Sequence, residues 1–384
     1  MPKRIERKFW APSVTSQFCV CPIPFHFDTY RGCQYGCLFC FARDMTRFAR
    51  RNGEGEKRRQ AYITGNSPEG LAKWCERAIH SRYDYTDAAL VAFKERMPLK
   101  IGATADPFPM CELTEHITYD CLRILAKYDY PTQISTKNPA VFLQYADRFR
   151  NANIALNVSC SFCDDDIARQ IETGAIAPSK RFDAIQQLAR MGYKITVRIQ
   201  PFILPYAEKV ADRFIKKLAD IGAYGFETEG LKLRVTSSAS EKAIYQRIGD
   251  VFGFDIIEDF KTRGAIEGGD RCYNEADKRR MLQLYTDLSR QYGVKFFNAD
   301  NLIDPRYGCS SECCGTDFLR NHKIWGGARR SLAFPTPELN SQLFGRCYVN
   351  FTRNSNNSHR TIADMCEEYN IQEDKRLKQN ISNL

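Results

Sequence analysis

Between residues 95 and 235 the chain repeats one pattern: a short apolar run, a turn residue, then a stretch with helical periodicity. LKIGAT (99–104), QIST (133–136), IALNVS (154–159) and KITVRIQ (194–200) read as strands, and GFETEGLKLR (225–234) as a fifth. Between them Ile117, Cys121, Ile124, Leu125 and Tyr128 recur at helical spacing, as do Phe182, Ile185, Leu188 and Ala189 within KRFDAIQQLARMG. Pro131 marks the turn into the second strand, Gly192 falls where a helix C-cap belongs, and Pro201 is expected to stop the fourth strand. Parallel neighbours need a crossover between them, and helices supply it, so the alternation predicts βαβ units and a parallel sheet. Repeated at roughly 30 to 40 residues per unit, it predicts an α/β fold, a full or partial (β/α) barrel with a C-terminal extension. The barrel is placed over residues 1–240 and the extension, with metal-binding potential, over 241–384. Within the extension 276–292 read as a helix, VKFFNAD (294–300) as a strand and NSNNSHR (354–360) as an exposed loop.

Composition narrows the setting. The chain has 384 residues, 43% of them hydrophobic, enough to bury a large core. No apolar run reaches the length of a bilayer span, and the basic start MPKRIERKFWAPS has neither an apolar stretch nor a cleavage site. A cytoplasmic chain with no membrane partner is expected. Sixteen cysteines in so large a chain then read as reduced, metal-binding thiols rather than a disulfide framework. The net charge of +10 is unevenly spread: residues 1–60 hold twelve Lys/Arg against five Asp/Glu, or +7. Such a patch suits a polyanion, nucleic acid above all, although a solvated basic face has the same composition.

The segment DTYRGCQYGCLFCFAR (28–43) sets Cys33, Cys37 and Cys40 in a C-x3-C-x2-C pattern. Three thiolates on one tight loop can hold three irons of a [4Fe–4S] cluster and leave the fourth open to S-adenosylmethionine (SAM). Gly32 and Gly36 let the backbone wrap closely, and Phe39 offers a flat apolar surface for an adenine ring. A zinc site is the competing reading, with Cys19 or Cys21 as fourth ligand.

This loop resembles that of the radical SAM superfamily. The longer stretch resembles its spore photoproduct lyase / DNA repair photolyase-like branch, through GATADPFPMCELT (102–114), ISTKNP (134–139) and IETGAIAPSKRFDAIQQLARMGYKITVRIQPFI (171–203). The resemblance spans roughly residues 20–235. It implies a partial (β/α)6 TIM-like barrel with the cluster loop after the first strand, and reductive cleavage of SAM to methionine and a 5′-deoxyadenosyl radical that takes hydrogen from a substrate. It further implies an electron donor such as flavodoxin or ferredoxin, and places Asp106 near SAM. Lys137 is the expected partner of the SAM carboxylate, with Ser159 and Arg198 lining the same pocket. One departure stands out: spore photoproduct lyases carry a hydrogen-donating cysteine just before that aspartate, whereas Gly102–Asp106 contain no thiol and Cys111 lies beyond.

Other residues carry weaker signals. Cys160 and Cys163, with Tyr35, are candidate hydrogen donors, although ordinary packing is the simpler reading of the two cysteines. Cys309, Cys313 and Cys314 suggest a second site, an auxiliary Fe–S cluster or a zinc, completed by Cys347 or Cys272; buried thiols in a compact turn are the alternative. Arg43, Arg47, Arg50 and Arg51 share one face if 41–52 are helical, and suit phosphate contacts. The sequence therefore points to a radical SAM enzyme acting on a nucleic-acid base. Modification of a peptide or small metabolite, and a non-catalytic metal-containing nucleic-acid-binding protein, remain as alternatives.

Overall fold

The computed structural model describes residues 5–43, 63–82, 87–267, 269–300, 307–310, 312–333, 341–348 and 360–382. Its strands are β1 (Ser13–Val14), β2 (Phe25–Phe27), β3 (Tyr30–Arg31), β4 (Thr64–Gly65), β5 (Leu99–Ile101), β6 (Thr132–Thr136), β7 (Ile154–Ser159), β8 (Ile195–Phe202), β9 (Gly225–Gly230), β10 (Leu233–Arg234), β11 (Ala265–Glu267), β12 (Asp270–Cys272) and β13 (Lys295–Asn298). The main sheet runs β1-β2-β5-β6-β7-β8-β9-β13. The β1–β2 pair is antiparallel and every other pair parallel. Helices Ile117–Lys127, Pro178–Arg190 and Tyr206–Asp220 lie between consecutive parallel strands, as the periodicity predicts. The two outer strands do not pair with each other, so the sheet is an open, partial barrel.

Register sorts the strand residues onto two faces. Ile101, Ile134, Leu156, Val197 and Phe226 are fully buried and form the core beneath the helices. The alternate positions Lys100, Gln133, Asn157, Ser159, Thr196, Arg198 and Glu227 share the other face. In a closed barrel that face is filled with branched apolar side chains; here it is polar and charged.

Several strand boundaries differ from the sequence reading. The fourth strand runs past Pro201 to Phe202, because the pairing with β9 shifts register between Ile199 and Phe202, where the missing proline N–H is not needed. GFETEGLKLR divides: β9 ends at Gly230, and Leu233–Arg234 join a separate sheet of order β10-β12-β11. VKFFNAD does form a strand, β13, which pairs in parallel with β9 as a seventh parallel strand. The segment 312–333 is tied to residues that precede three strands: Trp325 N donates to Pro22 O (2.7 Å), Lys323 N to Arg96 O (3.3 Å) and Arg320 N to Asn153 Oδ1 (2.9 Å). Among the described residues no helix is long and apolar enough to cross a membrane.

The loops at the other end of the strands are joined by Glu112. Its buried carboxylate accepts from Tyr30 Oη, Thr118 N (3.0 Å) and Tyr119 N (2.8 Å). Burial nevertheless dominates, and pushes this carboxyl up to about 7. A raised folded value means that the folded state binds the extra proton, so Glu112 makes stability fall as pH rises from about 4.5 to about 7. Glu112→Gln is expected to flatten that portion of a plot of urea midpoint against pH; an unchanged slope would assign it to other groups.

Candidate functional site

Asp28, just after β2, accepts from Ala103 N (2.8 Å), Thr104 N and Thr104 Oγ1, and so ties the end of β2 to the turn after β5. The three-cysteine loop begins five residues on. Gly32 (φ +84°) and Gly36 (φ +56°) take the left-handed conformation that turns the chain back twice around the thiols. Cys37 is buried, and Cys33 and Cys40 are half-buried. Burial pushes the Cys33 thiol up to about 11, aided by Asp106, and raises Cys37 further still. Without a cation these thiols stay neutral; a metal centre would hold them ionised.

The turn from Glu172 to Ala177 supports the loop. Leu38 N donates to Ile171 O (3.0 Å), and Gly174 N to Tyr35 O (2.9 Å). At Gly174 a Cβ would stand 2.6 Å from Gln34 O and 3.0 Å from Tyr35 Cα, so the two backbones touch. Glu172, from the same turn, is the centre of a buried ion triad: Lys137 Nζ lies 2.6 Å from Oε1 and Arg181 Nη2 2.5 Å from Oε2. Arg181 is fully buried and also donates to Ile176 O and Ser159 O, both at 2.8 Å. Lys137 Nζ lies 5.2 Å from the Phe39 ring centroid, and its charge acts on Cys37. Phe39 meets Phe162 edge-on at 6.2 Å.

The remaining site residues anticipated from sequence are distributed as follows. Asp106 accepts from Phe108 N (2.9 Å), Thr136 Oγ1 (2.8 Å) and Lys137 N (2.6 Å), which makes it the brace between two strand-end turns, beside Cys33. Ser159 ends β7, and Arg198 lies beside it in register on β8, with Nε 2.9 Å from Glu227 Oε1. Tyr35 is buried, with its hydroxyl donating to Phe108 O (2.9 Å). The Cys160 thiol is buried against Phe162 O (3.2 Å), whereas Cys163 is half-buried with Sγ 3.5 Å from Tyr206 Oη. Arg43 ends a short 3-10 turn, Phe41–Arg43; Arg47, Arg50 and Arg51 lie outside the described residues. Cys313 and Cys314 lie together, with Sγ atoms 3.7 Å apart, and their third neighbour is Glu227. Cys309 is exposed and outside that set, Cys272 belongs to β12, and Cys347 is buried with Sγ at Leu343 O.

Sequence reasoning did not single out Glu172, Gly174, Arg181, Lys100 or Glu227. The first three fall inside IETGAIAPSKR, where a buried charge looks like the polar face of a helix.

Among the described residues, the set of three donor side chains with all ligand atoms within 4.8 Å of one another is Glu227, Cys313 and Cys314. The loop thiols are spread more widely. A single zinc, with bonds of about 2.3 Å, needs thiolates no more than about 4.6 Å apart.

No family model matches the chain. Uncharacterized proteins of Mycobacterium bovis and Mycobacterium tuberculosis are 23% identical to it over 219 residues, 55% of this chain and 60% of theirs. The chain thus spans about 60% of the length of these relatives. Among solved structures, a spore photoproduct lyase variant with bound AdoMet and dinucleoside spore photoproduct superposes with a TM-score of 0.50 at 13% identity, covering 72% of this chain and 76% of that one. A second variant of the lyase gives 0.50 at 13% identity, with coverages of 76% and 80%. At that identity the likeness is one of fold: this chain has the open β/α architecture of the spore photoproduct lyase.

Proposed function

We propose that this chain is a radical SAM enzyme that holds a [4Fe–4S] cluster on Cys33, Cys37 and Cys40 and acts on a nucleic-acid base. The observation that carries the reading is the three-thiol loop at the C-terminal ends of parallel strands, with a half-buried lysine and an aromatic ring beside it. When bound, a reduced cluster with SAM supplies hydrogen abstraction through a 5′-deoxyadenosyl radical. The chain's own residues bind and orient. Phe39 gives a flat face for adenine, and Lys137, held by Glu172, presents an ammonium suited to the SAM carboxylate. Ser159 and Arg198 line the adjoining strand ends. Among the candidate hydrogen donors, the half-buried Cys163 thiol is the more accessible, since Cys160 and Tyr35 are buried. Because Gly102–Asp106 carry no thiol, the proposed reaction departs from that of spore photoproduct lyases. A nucleic-acid substrate is supported by the +7 charge of residues 1–60 and by the arginines at 43, 47, 50 and 51. A small electron-transfer protein, flavodoxin or ferredoxin, is the proposed reductant.

The test is made on anaerobically reconstituted chain. The expected result is about four irons and matching sulfide on the loop, and 5′-deoxyadenosine after addition of dithionite and SAM. Cys33→Ala, Cys37→Ala and Cys40→Ala each lose both the loop iron and the product. An oligonucleotide added at low salt is expected to bind and to raise the yield. Absence of iron and of SAM cleavage overturns the enzyme reading; cleavage without oligonucleotide binding overturns only the substrate class.

A further inference from the structure

We propose that Glu227, Cys313 and Cys314 form a mononuclear site for a zinc-class divalent ion on the polar face of the main sheet. The site shares no donor residue with the three-cysteine loop and does not depend on how that loop is read. Glu227 comes from β9, and the two cysteines come from the segment tied to the residues that precede β2, β5 and β7.

The spacing is that of ligands around one ion. All three ligand atoms lie within 4.8 Å of one another, and the two sulfurs are 3.7 Å apart. Thiolates bound tetrahedrally at about 2.3 Å stand about 3.8 Å apart. A thiol–thiol hydrogen bond has a similar length, so the sulfurs alone do not decide the matter. Glu227 supplies the independent observation. Its side chain is fully buried; Oε1 forms an ion pair with Arg198 Nε (2.9 Å) and accepts from Asn157 Nδ2 (3.3 Å), while Oε2 has no hydrogen-bond partner. A buried carboxylate oxygen left unpaired is unfavourable, and a cation at that position satisfies it. Arg198 and Asn157 then fix the carboxylate's orientation from behind, as partners of metal ligands commonly do. Asn157 Oδ1 is likewise buried without a partner.

The donor set selects the ion. Two sulfurs and one carboxylate oxygen suit zinc, or iron(II) in its place, and not magnesium or calcium, which require a shell of oxygens. Two thiolates, one carboxylate and a dication leave one net negative charge. Arg198 on the carboxylate, and Lys100, whose Nζ lies 3.2 Å from Cys21 Sγ on the same face, offset it. Three protein donors also leave the fourth tetrahedral position to solvent or to an oxygen, nitrogen or sulfur of a bound molecule. Gly315, in the left-handed region (φ +60°), turns the chain directly after the two cysteines, where a Cβ would stand 2.1 Å from Thr196 Oγ1. The turn holds the cysteines against the sheet, and the ion would staple this segment to β9.

The experiment uses the full chain carrying Cys33→Ala, Cys37→Ala and Cys40→Ala, titrated with Co2+ and then Zn2+ under reducing conditions. One equivalent of Co2+ with thiolate-to-cobalt charge-transfer absorption, displaced by Zn2+, is expected. Cys313→Ser and Cys314→Ser abolish that band, Glu227→Gln weakens binding, and Cys309→Ser leaves it intact. Asn157→Ala keeps all three donors and is expected to weaken affinity by about 10- to 100-fold. Circular dichroism reports folding; should a cysteine variant not fold, Asn157→Ala decides in its place. Zinc content of the purified, unmodified chain is measured in parallel, with one equivalent expected. A folded loop variant with no thiolate–cobalt band overturns the site. So does a band that survives Cys313→Ser or is lost with Cys309→Ser, or an affinity unchanged in Asn157→Ala.

Discussion

Glu172→Gln is expected to lower the unfolding free energy by about 3–5 kcal/mol, the cost of removing one partner from a buried ion pair. The side chain is almost wholly buried, with two cations on its two oxygens. Burial alone would push the carboxyl up; the charges of Arg181 and then Lys137 outweigh it and hold the group below its ordinary range. A glutamine matches the shape but not the charge, and Arg181, fully buried, cannot give up its proton or reach water. The measurement is the urea midpoint at neutral pH. A change below about 1 kcal/mol, the size seen for solvent-exposed pairs, would mean that the triad is hydrated. The sign of the pH dependence follows from the depressed value. The contribution of Glu172 is complete above about 4.5 and disappears as pH falls through the lower folded value, so the variant should lose less stability in acid than the native chain.

Gly174→Ala is expected to abolish iron uptake by the loop while leaving the cysteines in place and the chain folded. The added methyl meets two backbone atoms of the loop, Gln34 O at 2.6 Å and Tyr35 Cα at 3.0 Å, so no side chain can swing aside. Overpacking of this kind costs about 1–3 kcal/mol, which is small beside the displacement of a loop that must hold its thiols in fixed positions. Gly192→Ala is the control. It sits at φ +93° with open space around its Cβ, so it carries only the left-handed penalty, far from the thiols. Iron per chain after reconstitution, read beside the circular dichroism spectrum, separates the two variants. Normal iron in Gly174→Ala would show that the loop can rise off the turn without losing its ligands.

The parts of this fold that are local in sequence were legible. IALNVS matches β7 residue for residue, because branched residues pack one face and the strand is bounded by turns. LKIGAT was read too long because Gly102, at φ +88°, already turns the chain after Ile101. The three-cysteine loop was visible for the same reason: its ligands lie within eight residues. What was hidden depends on distant partners. Glu172 and Arg181 look like solvent-facing charges until the fold places them beneath the loop. Cys309, Cys313 and Cys314 look like one set because they are close in sequence. The backbone sends Cys309 to the surface, and the other two meet Glu227 from β9.

The placement of β13 has a consequence for synthesis. β9 is complete at Gly230, yet the strand that covers its open side is Lys295–Asn298, beyond the whole β10-β12-β11 unit. On the ribosome the sheet therefore waits with one row of backbone donors and acceptors bare, and a strand edge in that condition invites pairing with another chain. The small antiparallel sheet and its helices emerge during this interval. Shortening or speeding that stretch would change the yield of soluble protein even though no residue of the finished site had been touched.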